Sequence, residues 1–285
     1  MSPLPRLGAP DLGVGVGLRV PHYGAILAER PAVDWFECIS ENFLVGGGKP
    51  LFYLDAVRDA YPLILHGVSL NLGGPDPLDR AYLRRLRALV DRVKPPWASD
   101  HLCWNGAQGV HLHDLLPLPM TDEAVRHVAA RVREVQDALG IPFAVENVSS
   151  YMTYRADAMP EWEFVAAVAE TAGCGLLLDV NNVFVSSQNH GFDPERYLDA
   201  IPAERVLQMH LAGHTDKGKY LLDSHSGHIR EEVWALYRRA CRRVGPCATL
   251  IEWDDEIPEL RVLLAEADRA RRERDDALAS PAEAP

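Results

Sequence analysis

Short, nearly continuous apolar runs alternate along this chain with stretches in which apolar residues recur every three or four positions. The runs occupy residues 13–19, 35–40, 63–68, 97–102, 143–148, 175–182 (a strand and the loop it enters), 206–210 and 249–253. Runs that are apolar at successive positions read as strands buried on both faces, the mark of a parallel sheet covered by helices. The amphipathic stretches fall between them, at 23–30, 50–60, 79–93, 121–139, 161–172, 194–200, 229–244 and 258–271. Leu83, Leu86, Leu89, Val90 and Val93 share one face. Thr121 stands where an N-cap belongs, Asp122 and Glu123 follow in the first turn, and Gly140 lies just past the end. Eight strand-then-helix units over about 250 residues predict an α/β fold, a single (β/α)8 TIM barrel, with an open doubly wound sheet as the other arrangement. The barrel is expected to take residues 1–270. Residues 271–285, rich in Arg, Glu and Asp and then in Ala, Pro and Ser, read as a frayed helix end and a disordered C-terminal tail.

Composition narrows the function classes. A hydrophobic share of 47% and a charged share of 25% suit a globular chain with a sizeable core. The formal charge of -12 argues against a nucleic-acid partner, because phosphate binding is driven by Lys and Arg. No run has signal-peptide or membrane-spanning length, so no membrane association is expected. Five cysteines without Cys-x-x-Cys spacing predict a reduced, cytoplasmic protein with thiols packed in its core, Cys103 among them. The glycines at 13, 15 and 17 resemble a nucleotide loop only superficially, since the full spacing and the helix start are missing.

The chemistry lies at the C-terminal ends of the runs. From the third strand to the eighth these ends carry His66, His101, Glu146, Asp179, His210 and Glu252, and the loops beyond add Asn182, Asp223 and His225. Singly, each has a plain structural role. A strand-end histidine is most often a satisfied core residue, Asp179 could cap a loop, and His66 and His101 could pack on Trp97 and Trp104. Jointly those roles fail, because acids crowded at a barrel axis repel and raise one another's pKa unless a cation is present. Imidazoles with carboxylates and no thiolate cluster favour Fe, Mn, Zn or Co. Nine donors exceed one ion's needs, so two or three metals are expected, bridged by Glu146 at the centre of the order. Glu146, Asp179 and His210 are the candidate catalytic residues. Asn42, Ser69, Asn147 and His214 are the candidate substrate contacts. His111 and His113 read as solvated, and His22, His127 and His190 as surface residues.

The order His, His, Glu, Asp, Asn, His, Asp-x-His, Glu on consecutive strands resembles the xylose isomerase-like superfamily. In endonuclease IV a similar order of donors binds three zincs, with a histidine where this chain has Asn182. The fuller resemblance is to the multinuclear non-heme iron-dependent oxidative enzymes, which include the methanobactin-biosynthesis iron enzyme. It is carried by Ser40-Glu41-Asn42-Phe43, His66-Gly67-Val68-Ser69-Leu70, Ser99-Asp100-His101-Leu102, Val145-Glu146-Asn147, Leu178-Asp179-Val180-Asn181-Asn182, His210-Leu211-Ala212-Gly213-His214 and Asp223-Ser224-His225. The resemblance implies a TIM barrel with two or three irons, Fe(II)/Fe(III), and O2 as co-substrate. By position it puts His66, His101 and Glu146 on one iron, Glu146, Asp179, His210 and Glu252 on a second, and Asn182, Asp223 and His225 on a third. It implies oxidation of a residue, usually cysteine, in a ribosomally made precursor peptide, often with a small partner protein that recognises the leader.

Two other classes share parts of this pattern. A divalent-metal sugar isomerase or epimerase needs a two-metal site and usually a catalytic lysine, yet Lys49, Lys94, Lys217 and Lys219 stand at no strand end. A zinc phosphodiesterase of the endonuclease IV kind wants a basic rim, for which Arg19, Arg155, Lys217 and Lys219 supply only a thin set.

Overall fold

The computed structural model describes residues 6–279. In chain order its elements are β1 (Val14–Gly17), α1 (Tyr23–Glu29), β2 (Phe36–Ile39), α2 (Lys49–Arg58), β3 (Leu63–Gly67), α3 (Arg80–Val93), β4 (Ala98–His101), β5 (Trp104–Ala107), β6 (Val110–Leu116), α4 (Asp122–Leu139), β7 (Phe143–Glu146), α5 (Glu161–Ala172), β8 (Gly175–Asp179), α6 (Val180–His190), α7 (Pro194–Ala200), β9 (Val206–Leu211), β10 (Thr215–Asp216), β11 (Leu221–Leu222), α8 (Glu231–Val244), β12 (Ala248–Ile251) and α9 (Leu260–Ala279). The eight strands read as apolar runs close in the order β1-β12-β9-β8-β7-β4-β3-β2, every pairing parallel. The expected (β/α)8 barrel is the fold observed.

Helix ends follow their chemistry. Asp79 accepts from the amides of Ala81 and Tyr82 at 2.7 and 3.2 Å to start α3, and Thr121 Oγ1 accepts from Ala124 at 3.2 Å to start α4. Gly140 and Gly173 end α4 and α5 in the left-handed region, at φ 64° and 69°. The helices press their apolar faces onto the outside of the barrel in one large core. A second core fills the barrel itself: Trp35, Ile64, Trp97, Ala144, Leu177, Leu207, Ala248 and Leu250. Gly15 makes room for it, since a Cβ there would lie 2.5 Å from the Trp35 ring. This plug leaves only the C-terminal ends of the strands free for a site.

Three expectations need correction. The segment after β8 is helix rather than loop: Val180, Val183 and Val185 are buried on α6, and Asp179 caps it by accepting from Asn182 N at 2.6 Å. Two hairpins, β5–β6 and β10–β11, rise from the barrel mouth. Their strands carry no apolar run, because most of Val110–Leu116 is exposed and β10 and β11 have two residues each. Residues 271–279 are not a tail. Helix α9 continues to Ala279, with Ala267, Ala270 and Ala277 buried and Arg274 bound to Asp11 at 2.9 Å and to the Cys247 carbonyl at 3.2 Å. Its charges pair with the barrel and do not repel into solvent. Residues 280–285 of the expected tail lie outside the described residues.

A chain ended after Ala270 is therefore expected to lose roughly 1–3 kcal/mol of stability. The check is the denaturant midpoint, and an unchanged midpoint would return residues 271–279 to the status of a tail.

Candidate metal centre

Strand register brings the donors to the same end of the barrel, staggered by two residues at two of the steps from His66 to His210. His101 lies opposite Glu146 across β4 and β7, Asp179 opposite His210 across β8 and β9, and His66 opposite Ser99 across β3 and β4. Glu146, Asp179 and His210 are fully buried, His66 is 1% exposed and Glu252 4%. Glu146 is the hub. Its Oε2 stands 3.2 Å from His66 Nε2 and 3.2 Å from His101 Nε2, while its Oε1 stands 3.4 Å from His210 Nδ1. His210 Nδ1 is also 2.8 Å from Glu252 Oε2. Three groups could each hold a metal ion, His66–His101–Glu146, Glu146–Asp179–His210–Glu252 and His225–Glu252–Asp254, with Glu146 common to the first two and Glu252 to the last two.

The opposite edge of each imidazole is already engaged. His101 Nδ1 donates to the Gly67 carbonyl at 3.1 Å, His66 Nδ1 meets Ser99 Oγ at 2.9 Å, and His210 Nε2 meets Glu37 Oε2 at 3.1 Å. A carbonyl can only accept, so His101 Nδ1 carries its proton and a neutral ring turns the Nε2 lone pair toward Glu146. Burial, reinforced by the neighbouring His101 and His210, holds His66 well below the usual histidine range, so its ring is neutral. In the neutral His101 ring such a lone pair faces the Glu146 carboxylate at 3.2 Å and is repelled by it, and a cation between them removes the repulsion. Ligands sharing one first-row ion stand roughly 3–3.5 Å apart when each bond is about 2.1 Å.

The unsatisfied atoms agree. Both Glu146 oxygens, Asp179 Oδ2, Glu252 Oε2, His210 Nδ1 and Asn182 Oδ1 are buried without a hydrogen-bond partner. Such groups cost free energy unless something occupies the space they share. Without a metal, protons fall unevenly on these groups. Burial, with repulsion from Glu146 and Asp223, pushes Asp179 well above the carboxylate range. Burial opposes charging His101, but Glu146 and Asp100 outweigh it and lift the ring to about 9. Burial likewise opposes His210, which Glu37, Glu252 and Glu146 raise well above its usual value. Protons thus gather where a metal would sit. The donor set is nitrogen and oxygen only, and all five cysteines are buried away from it, Cys103 as expected.

The third expected group is rearranged. His225 Nε2 meets Asp223 Oδ1 at 2.9 Å, and its Nδ1 faces Glu252 Oε2 at 3.2 Å and Asp254 Oδ2 at 3.5 Å. The carboxylates gathered on His225 therefore include Asp254, which the sequence pattern does not single out and which also pairs with Arg19 Nε at 2.9 Å. Asn182 stands on the first turn of α6. Its amide nitrogen donates to the Asn147 carbonyl at 3.1 Å, which leaves its oxygen for the cleft.

The expected substrate contacts scatter. Asn147 does not line the metal cleft: its amide joins both backbone groups of Asp179, at 3.0 and 2.9 Å, and so staples β7 to β8. Asn42 is exposed on the short helical turn after β2. Ser69 and His214 line cavities on either side of the metal cleft rather than the cleft itself. The cleft measures about 790 Å³ and includes Val68, Val148, Tyr151 and Lys219, so a lysine does reach it from a loop. His22, expected on the surface, is buried with Nε2 2.8 Å from the Pro258 carbonyl. Glu37 was missed altogether. It is fully buried, and with Gln208 and Trp97 it forms a chain running from the barrel plug up to His210, through contacts of 2.5 Å and 2.8 Å. Two polar residues inside otherwise apolar runs, Glu37 and Gln208, were the signal.

Residues 13–274 match the family described as RiPP precursor modification enzyme MbnB/TglH/ChrH. The chain belongs to this family. It is 55% identical over 269 residues to a UPF0276 protein of Anaeromyxobacter sp. (strain Fw109-5), a match covering 94% of this chain and 95% of that one. It is 55% identical over 260 residues to a UPF0276 protein of Caulobacter vibrioides (strain NA1000 / CB15N), covering 91% and 93%. Among solved structures it resembles an L-ribulose 3-epimerase, with TM-score 0.61, 14% identity and coverage of 95% and 99%. It also resembles endonuclease IV from Thermus thermophilus, with TM-score 0.58, 16% identity and coverage of 93% and 99%. At that identity the likeness shows the barrel and nothing of the reaction.

Glu37→Gln keeps the shape and a hydrogen-bond acceptor but removes the charge behind His210. It is expected to weaken metal binding about 10–100-fold with little change in the folded spectrum. Metal titration with circular dichroism checks this, and unaltered metal affinity would make Glu37 a structural group only.

Proposed function

We propose that this family member is a multinuclear non-heme iron oxidase that uses O2 to modify a cysteine in a ribosomally synthesised precursor peptide. The observation that carries the reading is the Glu146 carboxylate: both its oxygens are buried without a hydrogen-bond partner, and they face different imidazoles, Oε2 those of His66 and His101 and Oε1 that of His210. A buried carboxylate placed this way suits a pair of ions that share it. The nitrogen and oxygen donor set suits iron that must change oxidation state, whereas thiolate-rich sites favour clusters.

In this reading His66, His101 and Glu146 hold one iron, and Glu146, Asp179, His210 and Glu252 a second. His225, with Asp223, Glu252, Asp254 and Asn182 around it, is the place for a third. Bound iron would supply a thiolate-accepting Lewis acid and a one-electron reductant for O2. The rest falls to the chain. Val68, Val148, Leu115 and Leu222 line the cleft with apolar surface that limits water around the reacting cysteine. Tyr151 accepts the Asp223 amide at 2.9 Å, and Ser149 donates to Asp223 Oδ2 at 3.1 Å, so the loop carrying Asp223 and His225 is held over the donors. The electron balance closes without a further reductant: O2 reduced to two waters takes up the four electrons and four protons of a four-electron oxidation of the peptide. Glu146, Asp179 and His210 are the residues on which catalysis depends. A leader-recognising partner protein and a cytoplasmic setting, where five unpaired cysteines stay reduced, belong to the same proposal. Among the described residues no helix is long and apolar enough to cross a membrane.

Protein purified without oxygen is expected to hold two to three irons per chain with a coupled mixed-valent signal in EPR or Mössbauer spectra. Glu146→Ala should lose that signal. O2 uptake should require a cysteine-containing peptide and stop when its cysteine is replaced by serine. Stoichiometric zinc, with no O2 uptake after iron reconstitution, would move the chain to hydrolytic chemistry.

A further inference from the structure

Three cavities open side by side across the barrel mouth. The metal cleft shares Val68, Asp114 and Leu115 with a cavity of about 650 Å³ beside hairpin β5–β6. On its other side it shares Asn189, Lys219 and Tyr220 with a cavity of about 400 Å³ beside hairpin β10–β11. We propose that the three form one groove that grips an extended peptide on both sides of the reacting residue, so that the enzyme works on an internal segment of chain. The proposal rests on the peptide-modifying reading of the metal centre and specifies how its substrate lies.

Size is the first support. A cleft of about 790 Å³ is by itself ample for a small molecule, since such sites span about 300–1,000 Å³. A sugar would leave both side cavities unused, whereas an extended chain advancing about 3.3 Å per residue fills them in turn. Hydrogen bonding is the second. Asn105 is only 8% exposed, its amide nitrogen donates to the Val68 carbonyl at 2.8 Å, and its oxygen has no partner. Glu41 accepts from Val68 N at 3.0 Å and from Tyr82 Oη at 2.7 Å through Oε1, while Oε2 has none. Both residues line the cavity beside β5–β6. Acceptors left over in one cavity call for a ligand rich in donors, which backbone N–H groups supply at regular spacing.

Charge is the third support, and it gives the groove a direction. Glu41, Asp79 and Asp114 outnumber Arg85 in the β5–β6 cavity, which favours a basic residue there. In the β10–β11 cavity Lys219 and Arg230 balance Asp216 and Glu232. On this side of the cleft stand Tyr151 and Tyr220, the latter shared with the β10–β11 cavity, each nearly half exposed with ring centres 5.9 Å apart, as flat surfaces for a passing chain.

The test uses two probes on metal-loaded protein. One is a fifteen-residue Gly/Ser peptide with a central cysteine and one lysine on each side; the other is N-acetylcysteine amide. The variants His111→Trp and Gln188→Trp, both at exposed positions, fill the two side cavities separately. The wild type should bind the long probe at least tenfold tighter than the short one. That preference should fall at least threefold in each variant, with metal content and melting temperature checked against wild type. Equal affinity for the two probes, or a preference untouched by both variants, overturns the groove. Because binding can be read with zinc as well as iron loaded, failure of the iron and O2 reading would show separately, in metal content and oxygen uptake.

Discussion

One carboxylate, Glu146, sets the terms for the rest of the molecule. It is fully buried at the end of a barrel strand, both its oxygens lack hydrogen-bond partners, and three imidazoles stand within 3.4 Å. A charge in that position is tolerable only when positive charge is close by. Much of the surrounding architecture can be read as arrangements that deliver it. Gly67, Ser99 and Glu37 turn three histidine edges away from the axis, so the remaining edges converge. Trp35, Trp97 and their neighbours plug the barrel below, which confines the polar groups to its mouth. The hairpins and the loop held by Tyr151 and Ser149 contribute side chains to the walls of the cleft.

The fold was legible because parallel strands buried on both faces leave unmistakable apolar runs. All eight were found in their places, and the expected helices lie within a few residues of their observed ends except at the C-terminal end of α9. The parts that were not legible share one cause: their stability comes from partners distant in sequence. Helix α6 reads as a polar loop, since Asn181, Asn182, Ser186 and Ser187 are paired or enclosed only once Asp179 and the barrel are in place. The end of α9 reads as a charged tail, since Arg274 meets Asp11 only after the barrel has closed. The hairpins at the mouth are too exposed or too short to carry an apolar run of their own.

Site residues divide along the same line. The strand-end donors were visible, because position on a strand is a local property and a charge after an apolar run stands out. Their grouping on His225, with Asp254 joining Glu252, depends on how two loops fold over the barrel and could not be read from spacing. Asn147 shows the reverse error: it stands in the right place, but its amide is consumed by the neighbouring strand. Glu37 was visible as a lone acid in an apolar run, yet nothing local says that it backs a histidine 173 residues further along the chain.

Asp179 carries two duties on one side chain. Its Oδ1 caps the first turn of α6, and its Oδ2 belongs to the metal group. A histidine could replace the second duty but not the first, and a serine the first but not the second. Glu252 is bound differently: the chain after it runs into a loop, so it caps nothing, but its Oε2 stands between His210 and His225 and is common to two groups. The two strand ends are therefore constrained by different neighbours, one by a helix and one by a second imidazole. A new donor at 179 must also be able to start a helix, whereas a new donor at 252 must also reach the loop that carries His225.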